Sequence, residues 1–299
     1  MTYTIKSYQE EVVEDQEKVG REVTKNWKSF EQSNADRLRQ VYSAPDFDSE
    51  TRFYCFKKDK LVGFLTSNVI REGEKPRKAN LEFPLVLPGH EEAESLLVEK
   101  ALDILREKGV EIVRTRVSKA WGKTFDMAKK WGYTFAEGQA VAYSADLAGV
   151  PVPESPGLDN VVDYDHKKDC EQMVDIFVRH YGMTPEQAQA NFDALANAGD
   201  QVISHVVIRK NGQITGRAMA LRYENDPNHG HTGALFVIDE KQRPLLLARI
   251  LKDCKAKGVE TLDAAIFGDM LKNKDAISSM YESLGFVQIA TISYYEKKI

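Results

Sequence analysis

The sequence predicts an α/β (α+β) chain of two tandem domains, each a mixed, mostly antiparallel central sheet flanked by helices. Three observations carry that expectation. The first is a repeat: KLVGF at 60–64 and QITGR at 213–217 set Gly63 and Gly216 153 positions apart. Asp36 with Gln187, Val86 with Val237, Gly109 with Gly258 and Gly132 with Gly285 hold offsets of 149–153. A period of about 150 residues is the size of a domain, not of a solenoid unit. The second is a proline- and glycine-rich stretch, LAGVPVPESPGLDN at 147–160. Proline fixes φ and removes donors, so this stretch reads as extended linker. It divides the chain into a domain at 1–148, a linker at 149–159 and a domain at 160–299. The third is that both halves present the same order of elements.

Taken in that order, each half opens on a strand followed by a helix, near 14–30 and near 168–180. A second helix follows. SNADRLRQVY (33–42) begins with Ser33 and has Asp36 three residues on, a helix-start pattern. TPEQ (184–187) has the fuller form, with Thr184 as cap, Pro185 at the first helical position and Gln187 reaching back. Two strand pairs come next, 51–58 with 61–70 and 201–210 with 213–223, joined by KDK and NGQ, which suit tight hairpins. Strands at 81–87 and 233–238 lead into helices with apolar faces at Leu97, Ala101, Ile104 and Leu105, and at Leu247, Ile250, Leu251 and Cys254. Both helices close on a cationic turn and a glycine, REKG and KAKG, as the helix dipole and a left-handed cap require. A strand (110–117; 259–267), a helix (121–130; 275–284) and a final hairpin complete each half.

The composition narrows the function. A net charge of −5 disfavours a nonspecific nucleic-acid surface, which needs clustered cations to displace phosphate counterions. Cys55, Cys170 and Cys254 have no CxxC spacing, so buried reduced thiols are expected, with no disulfide framework and no zinc site. No apolar run approaches membrane length, and the acidic N-terminus does not read as a signal peptide, so a soluble, cytoplasmic protein is expected.

The element order, with KKWGY (129–133) and YESLGF (281–286) after the last helix of each half, resembles the GCN5-related N-acetyltransferase (GNAT) superfamily, as a tandem two-domain member. The resemblance covers nearly the whole chain. It implies that the fourth strand of a copy splays from the fifth, freeing backbone groups for the pantetheine arm of acetyl-CoA, the implied co-substrate. It also implies a helix N-terminus that faces the pyrophosphate. The family's glycine-rich phosphate loop is missing from both halves. In the first, GHEEAE (89–94) places Glu91, Glu92 and Glu94 there, which repel phosphates. The same residues are also ordinary composition for a helix start. In the second, DEKQRP (239–244) offers Lys241, Gln242 and Arg243, although Pro244 removes one amide. A solvated turn before a helix-initiating proline explains that loop as well.

Transfer of an acyl group from a thioester to an amine needs a base, oxyanion donors and an acid for the departing thiolate. In the family a tyrosine five residues before the terminal aromatic commonly serves as acid. That count lands on Tyr281 in the second half and on Ala128 in the first. Relatives often carry a glutamate base on the fourth strand. Glu82 stands there in the first half and Gly233 in the second, where His231 is the alternative base. NHGH (228–231) also reads as a polar loop entering a strand, and its histidines lack a third metal ligand. The implied cofactor contacts are Phe236, Val237, Ile238, Lys241, Gln242, Arg243 and Asn273. Arg114 and Arg116 either line a cleft for an anion or cap a sheet edge. The expectation is an acetyl-CoA-dependent N-acetyltransferase with an active second half and a non-catalytic first half that does not bind CoA and serves as substrate wall or scaffold, acting on a primary amine of a small molecule or peptide, as a monomer or homodimer. Two alternatives stand beside it. One is a non-catalytic ligand- or protein-binding module with decayed CoA sites. The other is transfer from an aminoacyl-tRNA, against which the negative charge weighs.

Overall fold

The computed structural model describes every residue except 1, 31, 46, 71–76, 154–155, 224–225 and 234. The chain forms two units. The first comprises Met1–Ala140 together with Ile289–Ile299, and the second comprises Val141–Gln288. The last eleven residues therefore belong with the N-terminal unit, which the partition at 148 and 160 did not anticipate.

The elements run β1 (Tyr3–Ser7), α1 (Val13–Thr24), α2 (Ala35–Tyr42), β2 (Arg52–Lys57), β3 (Lys60–Val69), β4 (Lys78–Leu81), β5 (Leu85–Val86), α3 (Glu92–Glu107), β6 (Ile112–Val117), α4 (Thr124–Lys130) and β7 (Thr134–Asp146). They continue with β8 (Val161–Asp163), α5 (His166–Tyr181), α6 (Pro185–Asn197), β9 (Val202–Lys210), β10 (Gln213–Tyr223), β11 (Asp226–Thr232), β12 (Phe236–Val237), α7 (Arg243–Ala256), β13 (Thr261–Phe267), α8 (Lys274–Ser283) and β14 (Val287–Lys298).

Local chemistry explains most of these boundaries. The Thr184 side chain accepts from the Gln187 amide while Gln187 Oε1 accepts from the Thr184 amide, a complete capping box. At α2 the cap is Asn34, not Ser33, because its side chain accepts from the Arg37 amide at 2.8 Å. Asn211 and Gly212 both take positive φ between the paired Lys210 and Gln213, the two-residue turn that matches strand twist.

Strand alternation builds two layers of core on each sheet. In the first unit Phe53 and Cys55 face one way, against Leu97, Ala101 and Leu105 of α3. Tyr54 and Phe56 face the other way and pack with Val12 and Val19 beside α1. In the second unit Ile203 and Ile208 pack with Leu247 and Leu251 of α7, while Val207 and Ile214 pack with Met173, Phe177 and Phe192 of α5 and α6. All three cysteines are free. Burial pushes the Cys55 thiol up to about 11, and it is the largest of the causes that push Cys254 up to about 12.

The sheet of the first unit is ordered β1-β2-β3-β4-β6-β14, with β5 paired to β3 alone. That of the second is β7-β13-β11-β10-β9-β8, with β12 paired to β10 alone. Two expectations change here. Each half ends on a single long strand, not a hairpin. The C-terminal strand β14 lies antiparallel to β6 from Ser293↔Val117 to Lys298↔Ile112, so it completes the sheet of the first unit. Because β6 has β4 on one side and β14 on the other, Arg114 and Arg116 do not cap a sheet edge. Lys78 and Arg114 converge on Glu296 at 2.9 and 2.7 Å.

Candidate active site at a strand fork

In both units the fourth strand is broken, and the break opens a fork. In the first, β4 runs parallel to β6 from Lys78↔Ile112 to Asn80↔Arg114. The chain then shifts, and β5 pairs only with β3, Gly63↔Val86 and Phe64↔Leu85. In the second, β11 runs parallel to β13 as far as His231↔Asp263, and β12 pairs only with β10, Gly216↔Val237. The repeat landmarks Gly63/Val86 and Gly216/Val237 are thus cross-strand partners in their own units. The NHGH segment is part of β11 rather than a loop.

At the first fork two cavities meet. One, of about 250 Å³, is lined by Gln16, Trp27, Phe30, Arg52, Glu82 and Trp121 among others. The other, of about 400 Å³, is lined by Val86, Pro88, Glu91, Gly122, Lys123 and Met127 among others. Trp27, Phe83 and Thr124 line both. The aromatic wall is built by Trp27 and Trp121, stacked with centroids 5.8 Å apart and planes 7° apart, and by Phe30 edge-on to each at 4.9 and 5.3 Å. The Trp121 indole donates to the Lys28 carbonyl at 2.8 Å, which fixes its ring.

Glu82 sits at the mouth of the break. Its amide donates to the Thr66 carbonyl at 3.0 Å. Arg116 Nε and Nη2 both contact Glu82 Oε1, at 3.0 and 2.9 Å. Among the described residues Oε2 accepts no hydrogen bond. The next amide, that of Phe83, finds no acceptor among the described residues, and Pro84 has no N–H. This fork therefore presents a carboxylate oxygen and a backbone donor within two residues of each other.

The helix that follows is less accommodating to phosphate. Glu91 Oε1 accepts the Gly89 amide at 3.1 Å, so the loop partly satisfies itself. Burial pushes the Glu94 carboxyl up, against the pull of Lys123 and Lys130. Lys25 and Lys123 are the cations on this cavity.

The residues expected from the sequence to act in the second unit divide between its core, its strand ladders and its surface. Tyr281 is 1% exposed within the apolar core, its ring 5.3 Å from both Tyr143 and Phe286. Burial, the largest cause, pushes its phenol up to about 12. His231 is half-buried at the end of the parallel ladder, its ring 4.9 Å from Tyr223. Phe236 is buried with its ring 5.0 Å from His180, Val237 pairs with Gly216, and the Ile238 amide is taken by the Thr215 carbonyl at 2.8 Å. Gln242 donates to Thr215 Oγ1, and Arg243 is buried in a two-pronged contact with Glu240 at 2.8 and 2.9 Å. Lys241 and Asn273 are exposed. Reversing Arg243 would therefore break its pair with the half-exposed Glu240 and bury a charge where its Nη1 has no partner among the described residues. Elsewhere in this unit His166, Cys170 and Asp193 bring three ligand-type atoms within 4.8 Å of one another, a grouping the sequence spacing did not reveal. His166 and Asp193 are in direct contact at 3.1 Å.

Sequence reasoning reached Glu82 and the fork but missed Trp27, Phe30, Arg52, Trp121 and Thr124. Those residues come from three separate segments, the connection after α1, the start of β2 and the stretch that enters α4. The only signal available was strand register, which relates Arg52 to Thr66 and Thr66 to Glu82.

No family model matches the chain, and no curated protein sequence matches it significantly. Solved structures do. A GCN5-related N-acetyltransferase from Sphaerobacter thermophilus superposes with a TM-score of 0.70 at 10% identity, covering 99% of this chain and 95% of that one. A tandem GNAT protein from the clavulanic acid biosynthesis pathway gives 0.69 at 14% identity, covering 99% and 98%. N-myristoyltransferase of Saccharomyces cerevisiae, with bound myristoyl-CoA, gives 0.59 at 11% identity, covering 98% and 79%. At these identities the likeness establishes a shared fold: this chain has the tandem GNAT architecture.

Proposed function

We propose that this chain, built on the tandem GNAT fold, is an acyl-CoA-dependent N-acyltransferase whose reaction takes place at the fork of the first unit. The observation that carries the proposal is the meeting of two cavities across the parted strands, with Phe83, whose amide finds no acceptor among the described residues, lining both and its neighbour Glu82 lining the aromatic one. A two-substrate transfer needs that layout, in which donor and acceptor enter from different sides and meet at one reacting carbon. The acyl-pantetheine arm occupies the cavity beside Val86, Gly122 and Met127, and the amine occupies the aromatic one. Glu82 Oε2 takes the proton as the amine nitrogen bonds to the thioester carbonyl carbon. The Phe83 N–H stabilises the oxyanion, the C–S bond breaks, and CoA leaves as its thiolate. Acetyl-CoA is the donor to test first, and a primary amine the acceptor. Tyr281, in this reading, is a packing residue.

The self-satisfied loop at Gly89–Glu91 places most of the donor's binding on its arm, with Lys123, and Lys25 in exchange for its pair with Glu22 at 2.7 Å, the cations for its phosphates. Calorimetric titration with acetyl-CoA tests the assignment. Replacing both Lys25 and Lys123 by Glu is expected to weaken binding at least tenfold, while Lys241→Glu leaves it unchanged. The opposite pattern moves the cofactor to the second unit, and no binding of any acyl-CoA to the intact chain removes the transferase reading.

A further inference from the structure

The aromatic cavity carries more information than the identity of the base. Four polar residues form a row across neighbouring strands. Arg52 on β2 is opposite Thr66 on β3, the Glu82 amide donates to the Thr66 carbonyl, and Arg116 on β6 holds Glu82. All four line the same cavity of about 250 Å³. Adjacent strands are about 4.8 Å apart, so Arg52 and Glu82 stand about 10 Å apart at the backbone, a span that an arginine side chain readily shortens.

The two arginines of this row differ. Arg116 is neutralised by Glu82. Arg52 makes no ion pair with any carboxylate among the described residues. Its Nη1 donates to the Thr51 and Ser67 carbonyls and to Thr51 Oγ1. Its carbon Cζ lies 5.3 Å from the ring centroids of both Tyr42 and Phe47. Its Nε is buried and has no hydrogen-bond partner among the described residues. A buried guanidinium donor left unmatched costs free energy that an anionic ligand recovers. The cavity's fixed charges, two arginines against one carboxylate, leave an excess of one positive charge. Beside that charge stands the flat apolar wall of Trp27, Phe30 and Trp121.

Resting on the transferase reading above, we infer that the acceptor is an amine that also bears a carboxylate on a small aromatic or apolar body, the chemistry of an aromatic α-amino acid. Arg52 is the carboxylate-binding residue, the indole wall takes the ring, and the amine faces Glu82 Oε2. A guanidinium–carboxylate pair is directional and stronger than a neutral hydrogen bond, so it selects for the carboxylate rather than only tolerating it. A cavity of this volume suits one such molecule and not a peptide chain.

The test compares L-tryptophan and L-phenylalanine with tryptamine and phenethylamine, which keep ring and amine but lack the carboxylate. Two readouts are used on the full chain: calorimetric binding without donor, and acyl transfer with acetyl-CoA. The wild-type protein is expected to favour the amino acids by roughly ten- to a hundredfold in both, the range for a charge-assisted hydrogen bond. Arg52→Gln is expected to bring the ratio between the amino acids and the decarboxylated amines to about one in both readouts. Arg52→Lys is expected to restore part of it and guards against a misfolded Gln variant. Equal handling of both amine classes by the wild-type protein, or equal loss of both in Arg52→Gln, overturns the inference even if transfer is observed. Arg52-dependent binding of the amino acids without any turnover supports the subsite and overturns the transferase reading instead.

Discussion

Adding one methyl group at Gly63 should cost the first unit stability, whereas the same change at its repeat counterpart, Gly216, should cost almost none. A Cβ built on Gly63 lies 2.7 Å from Val86 Cγ2, 3.0 Å from the Leu85 carbonyl oxygen and 3.2 Å from Val86 Cα. Two of those atoms are backbone and the third belongs to a β-branched side chain with little rotamer freedom. Gly63→Ala must therefore push β5 away from β3, an overpacking that costs about 1–3 kcal/mol. Against that stands about 0.4–1 kcal/mol gained from a less flexible unfolded chain. The net loss is about 0–2.6 kcal/mol, centred near 1.3. At about 2–4 °C per kcal/mol for a unit of this size, the midpoint falls by roughly 3–5 °C.

At Gly216 the nearest atoms are Leu246 Cδ1 at 3.1 Å and Gln242 Oε1 at 3.3 Å, both at the ends of flexible side chains. Gly216→Ala should shift the second unit by less than about 0.5 kcal/mol in either direction, the range of changes that meet no fixed obstacle. The chain itself supplies the probe. All three tryptophans, Trp27, Trp121 and Trp131, lie in the first unit, so indole fluorescence follows that unit's unfolding and circular dichroism follows both. A Gly63→Ala protein whose fluorescence midpoint matches the wild type, or a Gly216→Ala protein with the larger loss, refutes the steric argument.

Two further outcomes are expected. Glu82→Gln keeps the shape and removes the base, so turnover should fall about 10²–10⁴-fold. Stability should change by no more than about 1 kcal/mol, because the Glu82–Arg116 pair is 36% exposed on each side. Tyr281→Phe measured alongside should leave turnover within about twofold, and a large loss there returns the chemistry to the second unit. The second concerns pH. Burial first, then the Arg217 and His166 charges, push the His205 imidazole down from 6.5 to about 2, and Arg217 Nε donates to His205 Nε2 at 3.0 Å. The folded state therefore binds no proton where the unfolded chain binds one. The second unit's stability is fully present above about pH 6.5 and is progressively lost below it. Melting followed by circular dichroism from pH 7.5 to 5 should show a shallower decline for His205→Gln than for the wild type; parallel curves would falsify this.

The helices, the Thr184 cap and the first hairpin of each half were legible because each rests on interactions within a few residues. The Thr184–Gln187 box, the Asn211–Gly212 turn and the apolar stripes of α3 and α7 follow from side-chain chemistry and from periods of 3.6 and 2 residues. The fork was legible only as an implication of the resemblance. Which of the two forks adjoins cavities was not, because the charge of a loop says nothing about the space beside it. The acidic GHEEAE loop pointed away from the first unit, yet the two meeting cavities lie there.

By itself the sequence determined a domain-sized duplication, the element order within each copy, and the landmarks Gly63/Val86 and Gly216/Val237 that pair inside each sheet. Only the tertiary structure decided that residues from Ile289 onward complete the first unit's sheet, that Tyr281 is enclosed by Tyr143 and Phe286, and that Arg52, Thr66, Glu82 and Arg116 share one cavity. The reason is register. A strand's local sequence specifies which side chains alternate, but its partner and its alignment are set by contacts far along the chain. A shift of one residue turns every side chain to the opposite face.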